Sequence, residues 1–174
     1  MEYNLSKDFA RKLGIMLRAE LINYKYYSLW CDEVIQQLDN PPFWIIELSI
    51  ARFLPAATDV VNEYAFSEPF EQFSNDCHDL FIACLLLKYD IHQISWATFL
   101  SYTGHYSDGN STKIDCGYIY DLLDKYENSS YSLEIENNQY SEIKNRFNLE
   151  TNEMRIYYNY FGTYFDRYVK NKKE

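Results

Sequence analysis

A chain of 174 residues is long enough for one domain that buries roughly 70% of the surface its unfolded form would expose. Hydrophobic residues at 47% and charged residues at 24% exclude a wholly disordered polymer. The net charge of −10 arises in the middle of the chain, and direct nucleic-acid binding through that region is disfavoured because the phosphate backbone would repel it.

Ser6 is placed to cap a first helix, in which Phe9, Leu13, Leu17, Leu21 and Tyr24 recur at spacings of three and four as one apolar stripe. Arg11, Arg18 and Lys25 then fall on a different, solvated face. The pattern restarts near Ser28 and predicts a second helix through Cys31, Val34, Ile35 and Leu38. Asp39-Asn40-Pro41-Pro42 ends that helix and opens the next, with Asn40 as cap and proline in the first turn. FWIIELSIARFL is apolar on most faces, as expected of a central helix, until Pro55 forces a break before a helix from Ala56 to Tyr64. Ser74 or Asn75 can cap DCHDLFIACLLLKYD, which is expected to be the most buried helix.

Ser95 caps a further helix through Trp96, Phe99, Leu100 and Tyr102, and Gly104 to Asn110 carries the strongest loop signal. Tyr118, Ile119, Leu122, Leu123 and Tyr126 fit another helix. Residues 128–141 are polar, and YSLEIE alternates like a strand, so a short β hairpin is expected there. The last helix carries Met154, Tyr157, Tyr158, Phe161, Phe165 and Tyr168 along one side, with basic residues after it that complement its dipole. The expected architecture is therefore all-α, a single domain over 1–174 of about seven to nine helices.

Eighteen tyrosines stand out, each with a large apolar body and a hydroxyl that needs a partner when buried. Charge is also unevenly spread: residues 53–143 hold fifteen acids against three bases. Between Arg52 and Lys88 no basic residue occurs, yet Asp59, Glu63, Glu68, Glu71, Asp76 and Asp79 do. Such a stretch either serves solubility or awaits a cationic partner that supplies the counter-charges.

Cys31, Cys77, Cys84 and Cys116 form no CxxC pair, and the start MEYNLSKDF lacks the apolar core of a signal peptide, so a cytoplasmic protein with free thiols is expected. The longest apolar run, Leu80 to Leu87, is far short of the roughly 20 residues that span a bilayer. Phosphate-loop, nucleophile-elbow, zinc-protease and dinucleotide fingerprints are all missing. DGNSTKID has Asp108, Asn110 and Thr112 in the alternation of a calcium loop, but glycine sits at the second position and Ile119 at the twelfth, where a bidentate Glu is required. No metal or other cofactor is expected, and no catalytic residue is assigned. Two side chains keep a small hydrolase open as an alternative: His105 in the glycine-containing loop and Glu47 inside the apolar run.

The stretch Asp76 to Glu127, with FIACLLLKYDIHQISWATFLSYTGHYSDG at its centre, resembles in character the small acidic helical immunity proteins that accompany bacterial toxins, including those of contact-dependent growth inhibition. That resemblance implies a cognate toxin partner, often a basic nuclease, neutralised by blocking of its active site. The acidic residues Asp59, Glu63, Glu68, Glu71, Asp76 and Asp79, with Tyr64 as an aromatic anchor, are the expected partner-binding set, and Asp115 to Glu136 with Tyr131 is a second location. An acidic helical adaptor or nucleic-acid mimic is the other reading, without membrane contact.

Overall fold

The computed structural model describes residues 3–73 and 77–171, and among them nine α-helices and no strand. In chain order these are α1 (Lys7–Arg18), α2 (Tyr24–Gln37), α3 (Phe43–Ile50), α4 (Leu54–Ala65), α5 (Cys77–Asp90), α6 (Trp96–Asp108), α7 (Cys116–Asn128), α8 (Leu133–Arg146) and α9 (Asn148–Asn171). Their contacts group the chain into two units, one of Met1–Ser74 with Met154–Glu174 and one of Asn75–Glu153. No described helix is long and apolar enough to cross a membrane.

In the first unit, the Ser6 hydroxyl accepts a hydrogen bond from the Phe9 N–H and so starts α1 where the sequence places it. The helix ends sooner than its apolar stripe implies. Glu20 takes a left-handed conformation (φ 55°), the Leu21 N–H turns back to the Met16 carbonyl, and Asn23 caps α2 at once. Leu21 is therefore a buried turn residue and Tyr24 opens the second helix. Phe9, Leu13 and Leu17 are buried as expected, but Arg11 does not lie on a solvated face. It is 4% exposed, with its guanidinium 4.8 Å from the centre of the Phe73 ring and 3.1 Å from Asp8.

α1 packs on α4, and α3 packs on both α2 and α4. The part of α9 that belongs to this unit adds Phe161, which meets Phe9 at 5.8 Å and the fully buried Trp30 at 5.4 Å. Contrary to its apolar composition, α3 is not a central helix. It buries Trp44, Ile45 and Leu48, while Phe43 (72% exposed), Ile46 and Ile50 (76% exposed) occupy its outer face. An all-round apolar helix of two turns cannot show in sequence which side is covered.

In the second unit, α5 is the helix whose apolar residues run on every face, and Leu80 and Ile82 to Leu87 are all buried. The capping residues expected before it, Ser74 and Asn75, lie outside the described residues. Ser95 caps α6 by accepting from the Thr98 N–H. α6 runs on to Asp108, so the expected loop over Gly104 to Asn110 is mostly helix. Gly104 is there for packing: a Cβ at this site would lie 2.8 Å from the Tyr120 ring of α7. The core of this unit forms from Leu85, Leu86, Trp96, Phe99, Ile119, Leu122, Ile143 and Phe147, among others.

The expected β hairpin near 128–141 is absent, and α8 stands in its place. Ile135, Gln139 and Ile143, four residues apart, face the core on one helical side. Gln139 is buried because it accepts from the Trp96 indole N–H at 2.8 Å and donates to the Leu122 carbonyl at 2.8 Å. A polar residue at the centre of the buried stripe hides the helical period and leaves the strand-like alternation of its first residues.

Candidate partner-binding face

Four of the expected residues are exposed and near one another in the chain of the first unit: Asp59 and Glu63 on α4, then Glu68 and Glu71 in the segment that follows it. Residues 59 and 63 lie at helical spacing on the outer side of α4, and Phe66, the C-cap that follows its last residue, is 55% exposed. The next segment continues the same mixture, with Phe70 at 74% exposure between Glu68 and Glu71. Two buried cations of α1 hold this segment down. Lys7 donates to the carbonyls of Ser67 and Pro69 at 2.6 Å each, and Arg11 covers the ring of Phe73. The cations are spent on the inner side of the strap, so its outer side presents carboxylates and phenyl rings together.

Tyr64 is half-buried rather than an exposed anchor. Its ring stacks on Trp44 at 4.8 Å with an interplanar angle of 11°, and its hydroxyl donates to the Leu5 carbonyl at 2.8 Å. Burial, and then the charge of Glu71, raises its pKa above the usual tyrosine value. The stacked pair forms part of a groove of about 360 Å³ between α3 and α4. Val60, Glu63, Tyr64 and Ser67 enter it at spacings of three and four from α4, and Phe43, Trp44 and Glu47 enter it from α3.

Glu47, the one acid in the apolar run, therefore has its place explained: it is half-buried and lines this groove beside Glu63. Arg52, its nearest base in the sequence, instead lies over the Tyr24 ring at 4.8 Å. Sequence reasoning missed Phe43 as a groove residue. Its spacing of four from Glu47 was the available signal, and only the pairing of α3 with α4 gives that spacing a meaning.

The remaining expected residues separate from this face. Asp79 belongs to the second unit and is 8% exposed, with its carboxylate accepting the Lys113 backbone N–H at 2.9 Å. It fixes a turn and is not available on a surface, because a buried carboxylate is retained where donors satisfy it. Asp76 lies outside the described residues. In the second location, Asp115 caps α7 through the Gly117 N–H. Tyr131 is 59% exposed and edge-on to Tyr126.

His105 is an exposed helical residue, 3.2 Å from the Tyr120 hydroxyl. Of the residues considered for calcium, Asp108 accepts from the Cys116 thiol, Asn110 donates its amide N–H to the Tyr106 carbonyl and Thr112 donates its hydroxyl to the Ile114 carbonyl. Among the described residues no group of three or more His, Cys, Asp and Glu side chains is arranged to hold a metal. Cys31 and Cys84 are buried free thiols whose pKa values burial drives upward, which keeps them as unreactive core residues. No family model matches this chain, and neither a curated protein nor a solved structure matches it.

Proposed function

We propose that this protein is an immunity-type inhibitor that binds a cognate basic toxin, a nuclease by its charge, and blocks the toxin's active site. The observation that carries the reading is the outer side of α4 and its following strap, where Asp59, Glu63, Glu68 and Glu71 are exposed among Phe66 and Phe70. No lysine or arginine lies between Arg52 and Lys88 to neutralise those acids from within the segment. A carboxylate field of this kind steers a cationic protein and competes for pockets built to hold phosphate, while the exposed rings supply apolar contacts that desolvate on docking.

The test begins with capture from the source cell on the immobilised full chain at low and moderate salt. Any protein retained stoichiometrically is then assayed for nucleic-acid cleavage with and without this chain. The expected result is full inhibition at a one-to-one ratio. The triple substitution Glu63→Lys, Glu68→Lys and Glu71→Lys should slow association by roughly 10- to 1,000-fold at low salt. Unchanged association by that variant, or retained cleavage in the complex, would overturn the proposal.

A further inference from the structure

Three arginines of this protein share one environment. Arg11 pairs with Asp8 and covers Phe73 at 4.8 Å. Arg167 pairs with Glu33 at 2.5 Å and covers Tyr164 at 5.3 Å. Arg146 pairs with Glu142 at 2.6 Å and covers Tyr118 at 4.9 Å. Each guanidinium thus has a carboxylate paired with it and an aromatic face against it, the two contacts that this flat and weakly hydrated cation is suited to make.

The groove between α3 and α4 has the acid and the ring of that trio without the arginine. Glu47 and Glu63 line it, Phe43 stands 72% exposed at its edge, and among the described residues no basic side chain lines it. Phe43 and Glu47, four residues apart on α3, lie on adjoining positions of one helical face. Its aromatic wall is set in advance, since Tyr64 is held both by the Trp44 stack and by the Leu5 carbonyl. A volume of about 360 Å³ leaves room for a long side chain. Its mixture of Pro42, Val60 and rings suits a methylene stem that ends in a charged head.

We infer that this groove is the receptor for a single arginine side chain of the partner protein, with the guanidinium held by Glu47 and Glu63 and stacked on Phe43. A second copy of this chain is the wrong occupant, because each copy carries −10. Lysine fits less well: Lys12 pairs with Asp8 beside the Tyr157 ring, but an ammonium has neither the planar fork that grips a carboxylate at two points nor a flat face to stack on a ring. The inference rests on the reading of a cationic partner, and it adds the residue class that partner must present.

The probes are N-acetyl-arginine amide, the lysine analogue and N-acetyl-citrulline amide, the last having nearly the shape of arginine without its charge. Each is titrated into the full-length protein while the resonances of Phe43, Trp44, Glu47 and Glu63 are followed by NMR. Arginine amide should shift this set saturably, with a dissociation constant on the order of millimolar. Citrulline amide should bind about tenfold more weakly, and lysine amide should fall between. Glu63→Gln and Glu47→Gln, which keep shape and fold, should each weaken the arginine amide severalfold. Equal binding of arginine and citrulline, shifts confined to other residues, or no shift at all would overturn the inference. If the amides fail while Glu68 and Glu71 still govern capture of a toxin, the groove assignment falls and the inhibitor reading stands. If arginine amide binds but no toxin is retained or inhibited, the groove stands and the inhibitor reading falls.

Discussion

The two units solve the same electrostatic problem with different residues. The first contains thirteen acids and eleven bases, and its partly buried carboxylates lean on cations, Asp8 on Arg11 and Lys12, and Glu33 on Arg167. The second also contains thirteen acids but only five bases; Lys113 pairs with the buried Glu150, and tyrosine hydroxyls serve several of the other acids. Tyr89 and Tyr126 both donate to Glu136, Tyr118 donates to Glu142, and Tyr140 donates to Asp90. A tyrosine can satisfy a carboxylate while burying its ring in the core, which a lysine cannot do without carrying its charge inward. The difference gives the high tyrosine content a structural use, and it leaves the second unit with −8 of the chain's net charge.

The largest contrast is expected when each unit loses the same indole. Trp96 is fully buried, stacks on Phe99 at 4.7 Å and donates to Gln139, whereas Trp30 is fully buried with an indole N–H that has no partner among the described residues. Trp96→Phe removes volume and strands a buried carbonyl oxygen, so it should cost about 3 kcal/mol. Trp30→Phe removes volume together with an unsatisfied donor and should cost about 1 kcal/mol. Urea titration of both variants, with hydrogen exchange to locate the loosened unit, measures the difference. Equal costs would mean that the polar network of the second unit adds nothing to its packing.

Next in size is the strap of the first unit. Lys7→Met keeps the apolar stem but leaves the carbonyls of Ser67 and Pro69 without their donor, and about 2 kcal/mol should be lost. Amides from Phe66 to Phe73 should then exchange faster than those of α1. Loss of stability without faster exchange in the strap would show that Lys7 acts through α1 alone.

A smaller effect separates tyrosine from lysine as a carboxylate partner. Burial, and then Glu136, raises the Tyr126 pKa to about 12. A raised pKa contributes stability that is whole below the unfolded value of 10.0 and is lost as pH climbs through the folded one. Glu136→Gln keeps the geometry and removes the charge, so Tyr126 should ionise at lower pH, and about 1 kcal/mol should be lost near neutrality. Tyrosinate absorbance during alkaline titration reads the shift, and an unchanged titration would assign the whole effect to burial.

How much of this was legible in the sequence varies by element. The Ser6 and Ser95 caps, the all-round apolar α5 and the periodic α7 could be read, because local chemistry and tertiary packing agree there. α8 could not, because Gln139 occupies its central buried position and is accepted only through Trp96 and Leu122, partners far away in the chain. The stretch between Arg52 and Lys88 was legible as acidic, yet sequence could not separate exposed Glu63 from buried Asp79. Asp79 is folded against the backbone N–H of Lys113, 34 residues away, a contact that no local pattern announces. The groove was invisible for a similar reason: Phe43 and Glu63 meet it only after α3 packs on α4.

The smallest expected effects come from removing one arginine in each unit, and they test the comparison most directly. Glu33 is held below the ordinary carboxylate range first by Arg167, with burial opposing and Tyr164 assisting. Glu142 is held low first by Tyr118, with burial opposing and Arg146 assisting. Depressed carboxylates contribute stability at neutral pH that is lost as pH falls through the folded pKa, so both pairs weaken on acidification. Arg167→Ala should release Glu33 most of the way to its ordinary value. Arg146→Ala should leave Glu142 low, because its leading donor remains, and the loss of an exposed pair at this helical spacing should cost only about 0.3 kcal/mol. Carboxyl carbon shifts followed through an acid titration measure both. Equal release of the two carboxylates would mean that tyrosine does not stand in for a cation in the second unit, and that its acids are tolerated merely because they face water.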